Sequence, residues 1–256
     1  MMFLPGRRWC VLAFLFLTGA AHASGTACPQ FFVGGKAPDF VDATLARRTT
    51  RLCFDAYALA ASGVTKGPLW SAERLTAAQV RQAEDTPRKG NFHPEPRIPD
   101  EDRSQLVDYK RSGYDRGHMA PSGDQPTYTA QQQSFSLANV VPQNRTLNGR
   151  KWERIESGLR ELAMREGEVF VITGPGFDSG APRRIGPHDV AVPDFTWKAV
   201  YVPSRRGAAA WRCTNVDNPD CAVVSIDQLT RATGVAPFPA LDAGMRARAL
   251  SLPLPR

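Results

Sequence analysis

In NGRKWERIESGLRELAMREG, the apolar residues Trp152, Ile155, Leu159 and Leu162 recur at the helical period and line one side of a helix. Gly167 provides the stop. A second helix is predicted over SIDQLTRATG, capped by Ser225 and ended by Gly234. A third, shorter one is expected in SAERLTAAQVRQAED, starting at Ser71-x-x-Arg74 with Leu75 and Val80 on its inner side. Continuous apolar runs predict strands: residues 169–173 in GEVFVITGPGF, closed by Gly174-Pro175, Phe195–Val202 in DFTWKAVYVP, and a third around Trp211. Residues 86–103, rich in proline and charge, read as extended surface chain. GPGFDSG has a glycine spacing loosely like a phosphate cradle, but Pro182 and Pro187 follow it rather than a helix, so it reads as a turn. Strands and helices mix without regular βαβ alternation, and the class is therefore α+β.

The N-terminus changes what counts as fold. Arg7 and Arg8 precede WCVLAFLFLTGAA, and small residues follow in AHA at 21–23. That order reads as a signal peptide over residues 1–23, and the apolar core is shorter than the ~20 residues of a membrane span. The expectation is an exported chain, periplasmic or secreted, with one domain over residues 24–256. The net charge of +7 favours an anionic partner, although solubility alone would also account for it. Cys10 falls in the leader, which leaves Cys28, Cys53, Cys213 and Cys221. No C-x-x-C and no neighbouring histidine suggests zinc, so an even count favours two disulfides. Four cysteines allow three pairings; the favoured one is local, Cys28–Cys53 with Cys213–Cys221 closing CTNVDNPDC.

Candidate chemistry gathers in SGYDRGHMAPSGD and at the start of the long helix. His118 is suited to taking a proton from water because its ordinary pKa, about 6.5, lies near working pH. Gly117 beside it leaves space for close approach of backbone and metal. Asn148 and Glu156 fall about 80° apart on an ideal helix, at the edge of its apolar stripe. An amide oxygen and a carboxylate there suit a hard cation such as Mg²⁺, which would keep most of its waters.

The runs YDRGHMAP and FSLANVVPQNRTLNGRKWERIE resemble the DNA/RNA non-specific endonuclease family. VFVITGP, VPDFTWKAVY and SIDQLTRATGVAPFPAL extend the likeness in order across about residues 54–241. Gln228 departs from it, standing where the family commonly has an acid. The resemblance implies a ββα-metal (His-Me finger) fold with a central, mainly antiparallel sheet flanked by helices. It further implies His118 as general base and Asn148 as the direct protein ligand of Mg²⁺, for which Mn²⁺ or another divalent cation would substitute. Glu156 would orient metal-bound waters, Arg116 would contact the scissile phosphate, Asn139 would shape the site, and Arg88 would clamp phosphate. Asp115 is expected to be structural. Arg183 and Arg184, in PRRIGPH, are either a substrate rim or a solvated loop, and His93 and His188 are expected at the surface.

The expected activity is hydrolysis of DNA and RNA with little sequence preference, because phosphate contacts carry no direct sequence information. The competing readings are a catalytically inactive binder of nucleic acid or acidic polymers on the same fold, and a narrower metal phosphodiesterase acting on small substrates.

Overall fold

The computed structural model describes residues 1–2, 27–178 and 181–255, so the leader expected over 1–23 lies almost wholly outside the described residues. No helix among them is long and apolar enough to cross a membrane. At the centre is a seven-stranded, wholly antiparallel sheet. Its spatial order runs Cys221–Val224, Gly207–Thr214, Phe195–Val202, Glu168–Gly176, Gly67–Thr76, Ala58–Ser62 and Thr49–Cys53. The α+β class is observed.

Both faces of the sheet are covered, which explains why its central strands read as continuous apolar runs rather than alternating ones. Successive side chains still point to opposite faces. Phe195, Trp197, Ala199 and Ile172 turn to one side and pack under the helix Ile226–Thr233. Val169, Val171, Val200 and Val202 turn to the other, against Trp152, Ile155, Leu159 and Leu162 of the long helical stretch.

The helix over 226–233 forms as expected. Ser225 and Gln228 close a reciprocal capping box, and Gly234 ends the helix in the left-handed conformation at φ 71°. The glutamine that departs from the family pattern thus satisfies the backbone at the helix start. The long helix, Glu153–Glu166, stops at Gly167. Its first part differs from expectation: Leu147–Trp152 is a π-helical turn, so the ideal angular separation of Asn148 and Glu156 does not apply.

A larger correction concerns Ser71. Residues 71–76 belong to the strand Gly67–Thr76, and the helix begins only at Ala77, capped by Thr76. Residues 86–103 are largely irregular, yet they bury Glu95 and Ile98 and form a bridge from His93 to Ser136. Both local disulfides are present, Cys28–Cys53 and Cys213–Cys221. Cys53 ends one edge strand of the sheet, and Cys221 begins the other.

Candidate active site

A two-stranded hairpin, Asp115–His118 paired with Val140–Gln143, precedes the helical stretch and completes a ββα unit. Gly117 is required here for packing. A Cβ on it would come within 2.1 Å of Gln143 Oε1, so the glycine admits the glutamine side chain of the partner strand rather than a metal.

The unit borders a cleft of about 620 Å³ lined by His118, Arg116, Arg88, Asn148 and Glu156. His118 is only 9% exposed, and its Nε2 has no hydrogen-bond partner. The imidazole is held between Phe92, at 5.1 Å, and Phe135, at 5.0 Å. Burial, and then the charges of Arg88 and Arg116, push its pKa down to about 3. The ring is therefore neutral, with a lone pair available, across the ordinary pH range. That neutrality comes from desolvation and two cations already present.

Arg116 lies 4.4 Å from the Phe92 ring centroid, and Arg88 lies 5.5 Å from that of Phe135. Among the described residues neither guanidinium has a hydrogen bond or an ion pair. Two unneutralised cations, each braced on a ring that also touches His118, make the cleft attractive to an anion.

Asn148 sits in the π-helical turn, and its Nδ2 donates to Asp115 Oδ2 at 3.2 Å. A carboxylate only accepts, so it fixes which end of the amide faces it and leaves Oδ1 for a ligand. Asp115 thus orients Asn148, a more specific part than the structural membership expected of it. No group of three or more His, Cys, Asp or Glu able to hold a metal occurs among the described residues. A cation here would rely on few protein donors, and the hard oxygens of Asn148 and Glu156 fit one of the Mg²⁺ and Mn²⁺ class. Burial raises Glu156 to about 7, with Lys198 opposing it. A bound divalent cation would pull that value down and favour the carboxylate.

Asn139 does not line the cleft. It is fully buried, and its amide is consumed by Ser71 Oγ, by both Ala120 N and Ala120 O, and by Ser134 O. Its own carbonyl accepts from Met119 N at 2.9 Å, so it positions the chain just after His118.

Sequence reasoning missed Lys198 and Arg160. Lys198 is 1% exposed, and its Nζ donates to Met119 O at 3.0 Å and Thr173 Oγ1 at 2.8 Å. Arg160 lines the cleft and pairs with the buried Asp124 at 2.8 Å. Arg160 falls four residues after Glu156, one turn on along the same helix side, a signal that was there to use. Lys198 in an apolar strand was the other. The two rim arginines separate. Arg184 is tied to Asp189 O and Val64 O, whereas Arg183 reaches Tyr114 of the cleft wall. His188 lies at the surface, as expected, and pairs through Nδ1 with the buried Asp108 at 2.8 Å.

Comparison with known proteins finds nucleases. The mitochondrial nuclease EXOG of Danio rerio is 31% identical over 195 residues, covering 68% of this chain and 57% of its own length. The chain thus spans little more than half of that relative. EXOG of Homo sapiens is 30% identical over 270 residues, covering 89% of this chain and 72% of the relative. A crystal structure of the EndoG/EndoGI complex, described as revealing the mechanism of EndoG inhibition, superposes with a TM-score of 0.67 at 27% identity. It covers 72% of this chain and 84% of the matched one.

These relatives correct the expectation of export. Both EXOG proteins are mitochondrial by name, and that finding overturns the expected secreted or periplasmic location. An arginine-bearing, acid-free start meets the charge requirement of more than one targeting route, and so it misled. The profile of the DNA/RNA non-specific endonuclease family matches residues 41–244. This chain belongs to that family of divalent-metal-dependent nucleases.

Proposed function

We propose that the protein is a Mg²⁺-dependent endonuclease that hydrolyses phosphodiester bonds of DNA and RNA with little sequence preference. The observation that carries this reading is the juxtaposition in one cleft of a neutral, buried His118 imidazole with two arginines that have no carboxylate partner among the described residues. An inactive binding protein would gain from the arginines but has no use for a buried imidazole kept unprotonated beside them.

In this reading Arg116 and Arg88 bind non-bridging oxygens of the substrate and orient the scissile phosphate toward His118. The unprotonated ring nitrogen of His118 that faces the cleft accepts the proton of the attacking water, and the aromatic rings on either side hold the imidazole plane during transfer. Asn148, steered by Asp115, would hold the divalent cation through Oδ1, with Glu156 fixing waters around it. When bound, the cation supplies Lewis-acid stabilisation of the charge that develops on phosphate. Asn139 positions the backbone after the base and touches no substrate. Each contact is to phosphate or water, so both sugars and all bases are accommodated.

The test is His118→Ala on plasmid DNA and on a long RNA. General-base catalysis contributes about 10²–10⁴-fold, so turnover should fall by that factor while the melting temperature holds. A variant that keeps more than roughly a tenth of wild-type turnover would remove His118 from the role of base. Asn148→Ala should weaken binding of Mn²⁺ measured by paramagnetic relaxation, without altering affinity for DNA in the absence of metal.

A further inference from the structure

Two arginines of the cleft, Arg88 and Arg116, are braced on aromatic rings, and a third arginine is braced on a ring of the cleft wall, Tyr114. Arg183 is the third. Its guanidinium lies 5.5 Å from the centroid of Tyr114, and its Nη1 approaches the Tyr114 hydroxyl at 3.3 Å. Like Arg88 and Arg116, it has no carboxylate partner among the described residues. Tyr114 lines the cleft and immediately precedes the strand Asp115–His118. Side chains alternate along extended chain, so Tyr114, Arg116 and His118 follow one another on one side. At about 3.3 Å per residue, Tyr114 lies roughly 13 Å from His118.

Arg183 is also fixed in place, unlike a solvated loop residue. Its carbonyl accepts from Val192 N at 2.7 Å, and it leads into the small hairpin of Arg184–Ile185 with Val190–Ala191. Ile185 is buried in a cluster with Tyr109, Leu137 and Val140. The turn of that hairpin is pinned from beneath by the buried Asp108, which accepts from His188 N at 3.0 Å and pairs with His188 Nδ1. Gly186, at φ 70°, lies so close to Asp108 that a Cβ would come within 2.3 Å of its Cα. A cation presented on a pinned hairpin, with a ring under it and no counter-charge, is preorganised for an anion.

We propose that Arg183 and Tyr114 form an outer phosphate subsite, which binds a backbone phosphate of the substrate remote from the one being cleaved. At about 13 Å from His118 a bound phosphate is not the one being cleaved but another along the chain, since charges on each strand follow at about 3.4 Å of axial rise. The subsite therefore engages polynucleotides and leaves minimal substrates untouched. This inference rests on the nuclease reading given above.

The experiment compares Arg183→Ala, Arg184→Ala and wild type on bis(p-nitrophenyl) phosphate, a dinucleotide and a long single strand. With Arg183→Ala, KM for the long strand should rise about tenfold at unchanged kcat, the worth of one charge-assisted contact. The dinucleotide and the chromogenic diester should be cleaved as by wild type, and Arg184→Ala should match wild type throughout. Binding of the long strand in Ca²⁺ or without metal, titrated against salt, should lose about 0.7 from its logarithmic slope in Arg183→Ala. Equal loss on all substrates, or an unchanged salt slope, would overturn the subsite. If wild type cleaves none of the three, the nuclease reading fails, while the binding titration still decides the subsite.

Discussion

The two faces of the central sheet are made from the same strands yet do different work. On one face Phe195, Trp197 and Ala199 are completely buried against apolar neighbours, and Trp197 Nε1 is satisfied by Pro175 O at 2.8 Å. On the other, a polar row interrupts the apolar surface. Ser71, Thr173 and Lys198 stand directly opposite one another on three adjacent strands. Ser71 holds Asn139, Lys198 holds Met119 O, and one row further on Glu73 accepts from Gln125. These groups are as buried as the core, but their partners lie in the chain around His118. One face spends its burial on stability, the other on fixing the position of a base.

The comparison can be broken most directly on the dry face. Trp197→Ala should cost about 3–5 kcal/mol of stability, as large aromatic truncations do, while turnover per folded molecule stays near wild type. Urea melts and active-site titration at low temperature check this. Equal loss of turnover would mean that the faces are not separable.

Lys198→Met tests the wet face. It removes the charge and the bond to Met119 O while filling most of the volume. Small misplacements of catalytic groups cost about a hundredfold, and kcat should fall by that order where circular dichroism shows an intact fold. Asn148 is held separately by Asp115, but loss of the Lys198 charge lets the Glu156 pKa rise further, so Mg²⁺ titration of the variant should show a higher metal requirement near neutral pH.

Acid should also act on the wet face. His118 has its pKa depressed to about 3, against about 6.5 unfolded, so between these values the unfolded chain takes up a proton that the native ring refuses. Its contribution to stability is complete above about 6.5 and declines as pH falls toward 3, at up to about 1.4 kcal/mol per unit. Glu156, raised to about 7, acts in the opposite sense, gaining native stability as pH falls from 7 toward its ordinary value. The difference between wild type and His118→Gln, measured in EDTA, isolates the histidine: the variant should lose less stability on acidification through this window.

The smallest expected effect returns to the dry face. Ser225→Ala removes the cap of its covering helix and should cost about 1 kcal/mol with no change in kcat or KM.

The same contrast explains what could be read from sequence. The helix at 226–233 was legible because its cap and its stop are local. The strand Phe195–Val202 was legible because burial on both faces writes an unbroken apolar run. Ser71 was misread because its place in a strand rests on backbone pairing with Leu59 and with the distant Thr173, and its hydroxyl is used by Asn139, sixty-eight residues away. Glu73 carries no local mark of burial, since a charge in a strand ordinarily points to water, and the apolar run around Lys198 marks its burial without naming its partners. His118, Asn148, Glu156, Arg116 and Arg88 all reach one cleft, but the rings that brace the arginines come from Phe92 and Phe135, which the motif spacing does not relate to them.

The placement of the two disulfides has a consequence for how the sheet fails. An open sheet ordinarily unzips from its outermost strands, and exposed edges invite a neighbouring molecule to pair with them. Here Cys53 and Cys221 rivet the two outermost strands, one to the segment that begins at Cys28 and the other to its inner neighbour at Cys213. Neither border can peel away without carrying covalently attached chain with it. Reduction would release both borders together, leaving the catalytic face intact at first but opening the molecule to strand exchange with its own copies.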